Sequence, residues 1–302
     1  MDSLKILHRI YFGFDGKVDL YQEYLKTWEE QLPDYKIIHW NADNLPIDIC
    51  EYTRELFKEK DHAYLSDYFR WWVLREYGGI YLDADIEIIN GEKFNILVEE
   101  LENTSEYHSF IGIDTHDGEY TAHSMACKKN SPLTQYMCSL YENLGILRIW
   151  RKTCFVAPMI VPLFFIQHGT FKKTDGKFID CFSPTIYNNV KIYPKDYFSP
   201  ISYIFQDNSL DHYLEDYSSN TCLCHHYGSS WYTEKDVAYQ KTKKTFQRRI
   251  FLSDYLKIKK VSSIKKTIFR NINPSFRNSF LFKIPRMFYR ILRFIYHEIK
   301  NI

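Results

Sequence analysis

The sequence lacks any run of about 20 uncharged apolar residues, so no segment reads as a membrane span. It also lacks a CxxC pair. Its cysteines are odd in number and scattered, at Cys50, Cys127, Cys138, Cys154, Cys181, Cys222 and Cys224. The last two form C-x-C, one residue short of zinc-ribbon spacing, with no second pair, so reduced thiols in a cytoplasmic protein are expected. The opening MDSLKILHRIYFG reads as the start of a strand and not as a signal peptide. There is no internal repeat and no nucleic-acid reader motif. Acidic residues are nearly missing from 241–302, where Asp254 and Glu298 face 17 Lys and Arg, a balance of +15. Residues 1–240 hold 22 basic and 36 acidic residues, a balance of −14. An acidic body with a basic tail suggests two jobs, and the division 1–240 and 241–302 is the expected domain organisation.

What is present is an alternation of strands and helices. LKILHRIYFG (4–13), YKIIHW (35–40) and IYLD (80–83) read as strands. Between them 18–31, 47–60 and 61–77 have helical spacing, the last stopped by Gly78-Gly79. That order predicts an α/β sheet whose strands run parallel through right-handed crossovers. Farther on, 109–113 and 190–194 read as strands and 132–144 as a helix. The apolar segment 153–168 is interrupted by Pro158 and Pro162, and 221–231 mixes a strand-like start with a polar loop.

The third strand ends in YLDAD. On an extended chain Asp83 and Asp85 face the same side, so they can share one hard cation such as Mg²⁺ or Mn²⁺, which takes oxygen ligands and bridges phosphates. The competing reading is a pair of solvated turn aspartates. The preceding helix has a narrow polar seam, Ser66, Asp67 and Arg70, on an otherwise mostly apolar surface. Burying Asp and Arg is costly unless they are paired with each other or bind something. Both readings stay open on spacing alone.

S-D-x-x-R followed by Y-G-G-x-Y-L-D-x-D resembles the GT32-type glycosyltransferases, with their capsular-polysaccharide and mannosyltransferase members, and more distantly the glucosylating clostridial toxins. Ser66, Asp67, Arg70, Tyr77, Gly78, Gly79, Tyr81, Leu82, Asp83 and Asp85 match as they stand, and HRIYFG is similar to the family's first strand. HHYGSSW (225–231) resembles the family's late H-H-W-x-x-S-W element, with Tyr227 where Trp is frequent. The resemblance implies a GT-A-type nucleotide-sugar-binding core, a Rossmann-like mixed sheet flanked by helices, with the basic helical tail as an extension. It implies a retaining sugar transfer that depends on Mn²⁺ or Mg²⁺. Asp85 is expected to bind the cation directly and Asp83 to reach the ribose and, through water, the metal, with a late histidine as a further ligand, His225 or His226, of which His226 is preferred. Arg70, Asp67 and Ser66 are expected on the donor's sugar and phosphate, with Gly79 and Tyr81 beside them. Tyr11 or Phe12 is expected to flank the base, and Ser229, Ser230 and Trp231 to close over the diphosphate. Asp114, Asp117 and His123 are further candidates for donor-sugar contacts.

The implied donor is a nucleotide-sugar, UDP-sugar first and GDP-mannose second, and the acceptor a saccharide or lipid-linked saccharide. Two rivals remain. L-D-x-D also opens HAD-type phosphatases, although these need Thr or Val soon after the second Asp, where this chain has Ile86-Glu87. A membrane-docked scaffold with a dead transferase domain is the non-enzyme rival. In the tail, Phe288, Ile291, Leu292, Ile295 and Ile299 fall on one helix face and Arg286, Arg290, Arg293 and Lys300 on the other. This basic amphipathic segment suits an anionic membrane surface, on the inner face of the plasma membrane. Docking on the acidic body is the alternative, and nucleic acid is not the expected partner.

Overall fold

The structure, a computed structural model, describes residues 3–114, 120–143, 157–168, 183–206, 209–215 and 217–228. The expected tail segment 241–302, like Asp117, Ser229, Ser230 and Trp231, lies outside the described residues.

The first strands and helices follow the expected order. β1 (Ile6–Ile10), α1 (Gln22–Gln31), β2 (Lys36–Trp40), α2 (Glu51–Lys58), α3 (His62–Tyr77) and β3 (Gly79–Leu82) build the first half of the sheet. Then come β4 (Ile86–Ile88), α4 (Gly91–Asn103), β5 (Ser109–Ile113), β6 (Tyr120–Cys127), α5 (Pro132–Glu142) and α6 (Ala157–His168). The described chain closes with β7 (Thr185–Tyr187), β8 (Val190–Tyr193), the one-turn α7 (Lys195–Phe198), the hairpin of β9 (Ile201–Gln206) and β10 (Ser209–Glu215), and β11 (Leu223–His225).

Seven strands form one sheet in the order β2-β1-β3-β6-β5-β8-β7. β2, β1 and β3 run parallel, as the alternation predicted. β6 then enters antiparallel to both β3 and β5, so the sheet is mixed and not parallel throughout. Every residue of β6 is buried, which removes the polar alternation that would have marked it as a strand. The architecture is the α/β class expected, a mixed sheet flanked by helices.

Alternation along β3 divides the two faces. Ile80 and Leu82 pack with Leu7, Leu25, Trp28, Phe94 and Phe110, a core shared by α1 and α4. Tyr81 and Asp83 face the other way and meet Arg70 of α3. The bend between α3 and β3 needs glycine twice. Gly78 has φ 68° and Gly79 φ 94°, and a Cβ on Gly79 would stand 2.8 Å from the Ile6 carbonyl oxygen. His8 braces this bend: one ring nitrogen lies 2.7 Å from the Gly78 carbonyl, and Nδ1 accepts from Trp40 Nε1 at 3.0 Å.

β4 pairs with β11 in a two-stranded ribbon, with Cys224 opposite Glu87 and His225 opposite Ile86. α1 holds this ribbon from beneath. Trp28 Nε1 donates to the Ile86 carbonyl at 2.7 Å, and Thr27 Oγ1 accepts from Ile88 N at 3.0 Å. The turn carrying Asp83 and Asp85 is therefore fastened at both ends, by the central sheet and by the ribbon.

Candidate active site

Residues beyond the ends of β1 and β3 converge at one edge of the sheet. The register pairs His8 with Tyr81, so Tyr11 and Phe12 leave β1 at the edge where Asp83 leaves β3. Ligands on open α/β sheets bind at such carboxyl ends.

Arg70 is the hub of the first half of the site. It is 7% exposed and fully engaged on one side. Its Nη2 meets Asp67 Oδ1 at 2.9 Å, Nη1 donates to the Ala122 carbonyl at 2.6 Å, and Nη1 stands 3.4 Å from Asp83 Oδ1. The guanidinium also lies 5.0 Å from the centre of the Tyr81 ring. Burial works against this cation, but Asp83, Tyr81 and Asp67 together raise its pKa above the ordinary arginine value. Asp67 and Arg70 therefore pair with each other, the structural reading of the polar seam, and Arg70 also approaches the first aspartate of the turn. Ser66 is turned elsewhere, its hydroxyl donating to the His62 carbonyl one turn back at 2.8 Å.

Asp83 receives the Tyr81 hydroxyl at 2.5 Å. Burial pushes its pKa up, Arg70 pulls it down, and Asp85 adds to the rise, leaving the carboxyl above its usual range. Asp85 goes the other way. Burial opposes its charge, yet His225 and the Gly228 N–H hold it below the usual carboxylate range. The contacts are 3.4 Å from His225 Nε2 to Asp85 Oδ2 and 2.7 Å from Gly228 N to the same oxygen.

The β4–β11 register separates the two histidines. His225, not the preferred His226, stands beside the aspartate pair. His226 Nε2 instead meets Glu87 Oε2 at 2.7 Å, and its ring stacks on Tyr24 at 4.5 Å. Asp83, Asp85 and His225 offer three ligand atoms within 4.8 Å of one another. Burial lowers the His225 pKa, but Asp85, Asp114 and Asp83 raise it on balance, which marks the spot as one that draws a cation. Two carboxylates and an imidazole form a donor set suited to a hard or borderline divalent ion.

Other expected residues are placed differently. Gly79 sits at the far end of β3 from Asp83 and serves the bend. Tyr81 is buried beneath Arg70 and Asp83, where it orders both. Tyr11 donates to the Val18 carbonyl at 2.9 Å, and Phe12 is buried, stacked on Phe14 at 5.6 Å. Asp114 and His123 do lie at the site: His123 Nε2 stands 3.9 Å from Asp114 Oδ1, and His123 stacks on His225 at 4.2 Å. Burial, with His225 second, holds His123 neutral far below the ordinary histidine range. Glu87, Tyr24 and the backbone N–H of Gly228 were missed. The D-x-D-x-E run placed Glu87 two residues beyond Asp85, and nothing local in the sequence pointed to the other two.

Residues 19–101 match the family model described as the glycosyltransferase sugar-binding region containing the DXD motif. By that region the chain is a glycosyltransferase. The matched span holds Asp67, Arg70, Asp83 and Asp85 and stops well short of His225. No curated protein matches the chain. Among solved structures, one similar to it is a glycosyltransferase involved in glycosylation of the major capsid of PBCV-1, at 8% identity over 78% of this chain and 98% of that one, with a TM-score of 0.40. An active-site mutant of LgtC is similar at 12% identity over 81% and 98%, with a TM-score of 0.37. The PaToxG glycosyltransferase is similar at 15% identity over 54% and 69%, with a TM-score of 0.35.

Proposed function

We propose that this glycosyltransferase is a metal-dependent, retaining enzyme that moves a sugar from a nucleotide-sugar, UDP-sugar first, to a saccharide or lipid-linked saccharide. The observation that carries the reading is the convergence of Asp83, Asp85 and His225 beside the Arg70–Asp67 pair, of which all but His225 fall within the matched sugar-binding region.

Asp83, Asp85 and His225 would hold Mn²⁺ or Mg²⁺. The bound ion supplies charge stabilisation to the departing diphosphate. Arg70 is locked by Asp67, Ala122 and Asp83, so its position does not have to be organised when donor arrives. Tyr81 keeps Asp83 from rotating away by donating to it. Gly228 N–H does the same for Asp85, and its lack of a side chain lets the backbone close on Tyr21. Ser229, Ser230 and Trp231 follow at once in sequence and would cover the diphosphate. Retention at the sugar carbon requires no protein nucleophile in a front-face attack, and none is assigned.

The phosphatase rival needs the first aspartate as a free nucleophile. Asp83 is instead held by Arg70 and Tyr81. The dead-scaffold rival has no support in an Arg70, Asp83, Asp85 and His225 set that is intact and assembled. The tail, 241–302, would bring the enzyme to an anionic membrane surface on the cytoplasmic side, where a lipid-linked acceptor is available. Hydrolysis of a panel of nucleotide-sugars and of a phosphomonoester, with Mn²⁺ and with chelator, tests the assignment. Turnover of one nucleotide-sugar class that stops on chelation fits it. Metal-independent turnover of the phosphomonoester alone overturns it.

A further inference from the structure

We propose that Tyr227, braced by Asp114, is a positioning residue that holds the His225 ring at the metal site. The inference rests on the metal assignment above and concerns what keeps one of its ligands in place.

A metal-binding histidine ordinarily donates its second ring nitrogen to an acceptor, and that bond fixes the ring's orientation and tautomer. Among the described residues His225 has no such bond: its Nδ1 is buried there without a hydrogen-bond partner, while Nε2 faces Asp85 at 3.4 Å. The ring must therefore be oriented by packing. Two rings close on it, His123 at 4.2 Å and 28°, and Tyr227 at 4.1 Å and 48°.

His123 is itself secured at both nitrogens, with Ser124 Oγ and Ser199 Oγ each at 2.8 Å. Tyr227 is secured differently. Its hydroxyl donates to the Asp114 carboxylate, just beyond the end of β5, which ties the loop after β11 back to the central sheet. Its backbone sits at φ 51°, in the left-handed region that a bulky aromatic rarely enters. Such a conformation persists only where the surroundings over-determine it. Here it has a visible result: one residue lays its ring against His225, and the next aims its N–H at Asp85. Tyr227 thus serves two neighbouring ligands from one strained position.

Asp114, His123 and His225 also bring three ligand atoms within 4.8 Å. In that alternative Asp114 would be a ligand. The proposal uses the observed bonds of Asp114 to Tyr227 and of His123 to Ser199, and a second ion on His123 Nε2 would have to displace Ser199.

The test is a Mn²⁺ titration of the full chain, reading free Mn²⁺ by electron paramagnetic resonance, without donor. Tyr227→Phe keeps the ring and removes the brace. It should weaken Mn²⁺ binding about tenfold, the low end of what loss of a ligand's supporting contact costs. Asp114→Asn keeps an acceptor oxygen for Tyr227 and should weaken binding less than Tyr227→Phe does. Wild-type affinity in Tyr227→Phe overturns the proposal and leaves the metal assignment standing. A larger loss in Asp114→Asn than in Tyr227→Phe makes Asp114 a ligand and also overturns it. Should Tyr227→Phe fail to fold, Asp114→Ala removes the brace from its other end and carries the same expectation, with wild-type affinity again overturning the proposal. Failure of the metal reading itself looks different: wild-type protein that binds no Mn²⁺, or His225→Ala that binds it as wild type does, removes both.

Discussion

At the scale of single residues, two adjacent histidines meet different partners. His225 faces Asp85 and His226 faces Glu87. His225→Ala should lower metal-dependent donor hydrolysis at least tenfold, the size expected for loss of a ligand or its support, while His226→Ala should cost much less. Initial rates at several Mn²⁺ concentrations check this, and a larger loss in His226→Ala would reverse the assignment. Arg70→Lys keeps the charge but loses the planar fork. Because Arg70 donates to the buried Ala122 carbonyl as well as meeting Asp67 and Asp83, the variant should lose donor affinity and also about 1–3 kcal/mol of stability. Calorimetric donor binding and thermal unfolding read the two effects separately. Much of this cluster was legible in the sequence. Spacing singled out Asp83, Asp85, Asp67 and Arg70 as one strand end and one helix seam, and their expected roles came from the resemblance to the GT32-type glycosyltransferases. The choice between His225 and His226 was not legible, because it depends on how β11 registers against β4, a contact between residues far apart in the chain.

At the scale of elements, the bend between α3 and β3 sets where the aspartate turn emerges. Gly79→Ala would place a Cβ 2.8 Å from the Ile6 carbonyl at φ 94° and should destabilise the fold by about 1–3 kcal/mol, measurable by denaturant unfolding. His8 secures the same bend as a neutral imidazole. Burial, partly offset by the Gly78 carbonyl, lowers its pKa to about 4 from the ordinary 6.5. The unfolded chain then takes up a proton on His8 below pH 6.5 while the folded chain does not. Stability should be full above that pH and fall between pH 6.5 and 4, by about 3 kcal/mol in all. His8→Gln, which keeps one donor and one acceptor, should flatten this fall, and an equally steep fall in the variant would assign it to other groups. The early elements were readable because amphipathic helices and buried strands alternated there. β6 was not, since all its residues are buried, whereas α4 was passed over although Asn90 caps it and Phe94, Val98 and Leu101 stand at helical spacing. The antiparallel entry of β6 leaves no local trace, because strand direction is decided by the connection and not by composition.

At the scale of the molecule, residues 1–240 carry a balance of −14 and residues 241–302 a balance of +15, the split on which the proposed membrane role rests. Removing 285–302 should release the protein from anionic liposomes, with each surface Lys or Arg lost costing about 1 kcal/mol of attraction, and binding of the full chain should weaken with salt. Donor hydrolysis in solution should be unchanged. Equal sedimentation of the two proteins would remove the membrane role, and loss of folding would make the tail a partner of the body. The central claim is that Asp85, with Asp83 and His225, gathers a divalent ion under a nucleotide-sugar diphosphate. It is tested most directly by nucleotide-sugar hydrolysis in Mn²⁺, for wild type and for Asp85→Ala, each before and after excess EDTA. The account predicts turnover by wild type alone, lost on chelation and restored by added Mn²⁺, with Asp85→Ala inactive yet folded. Full turnover by Asp85→Ala, or by wild type in excess EDTA, would contradict it.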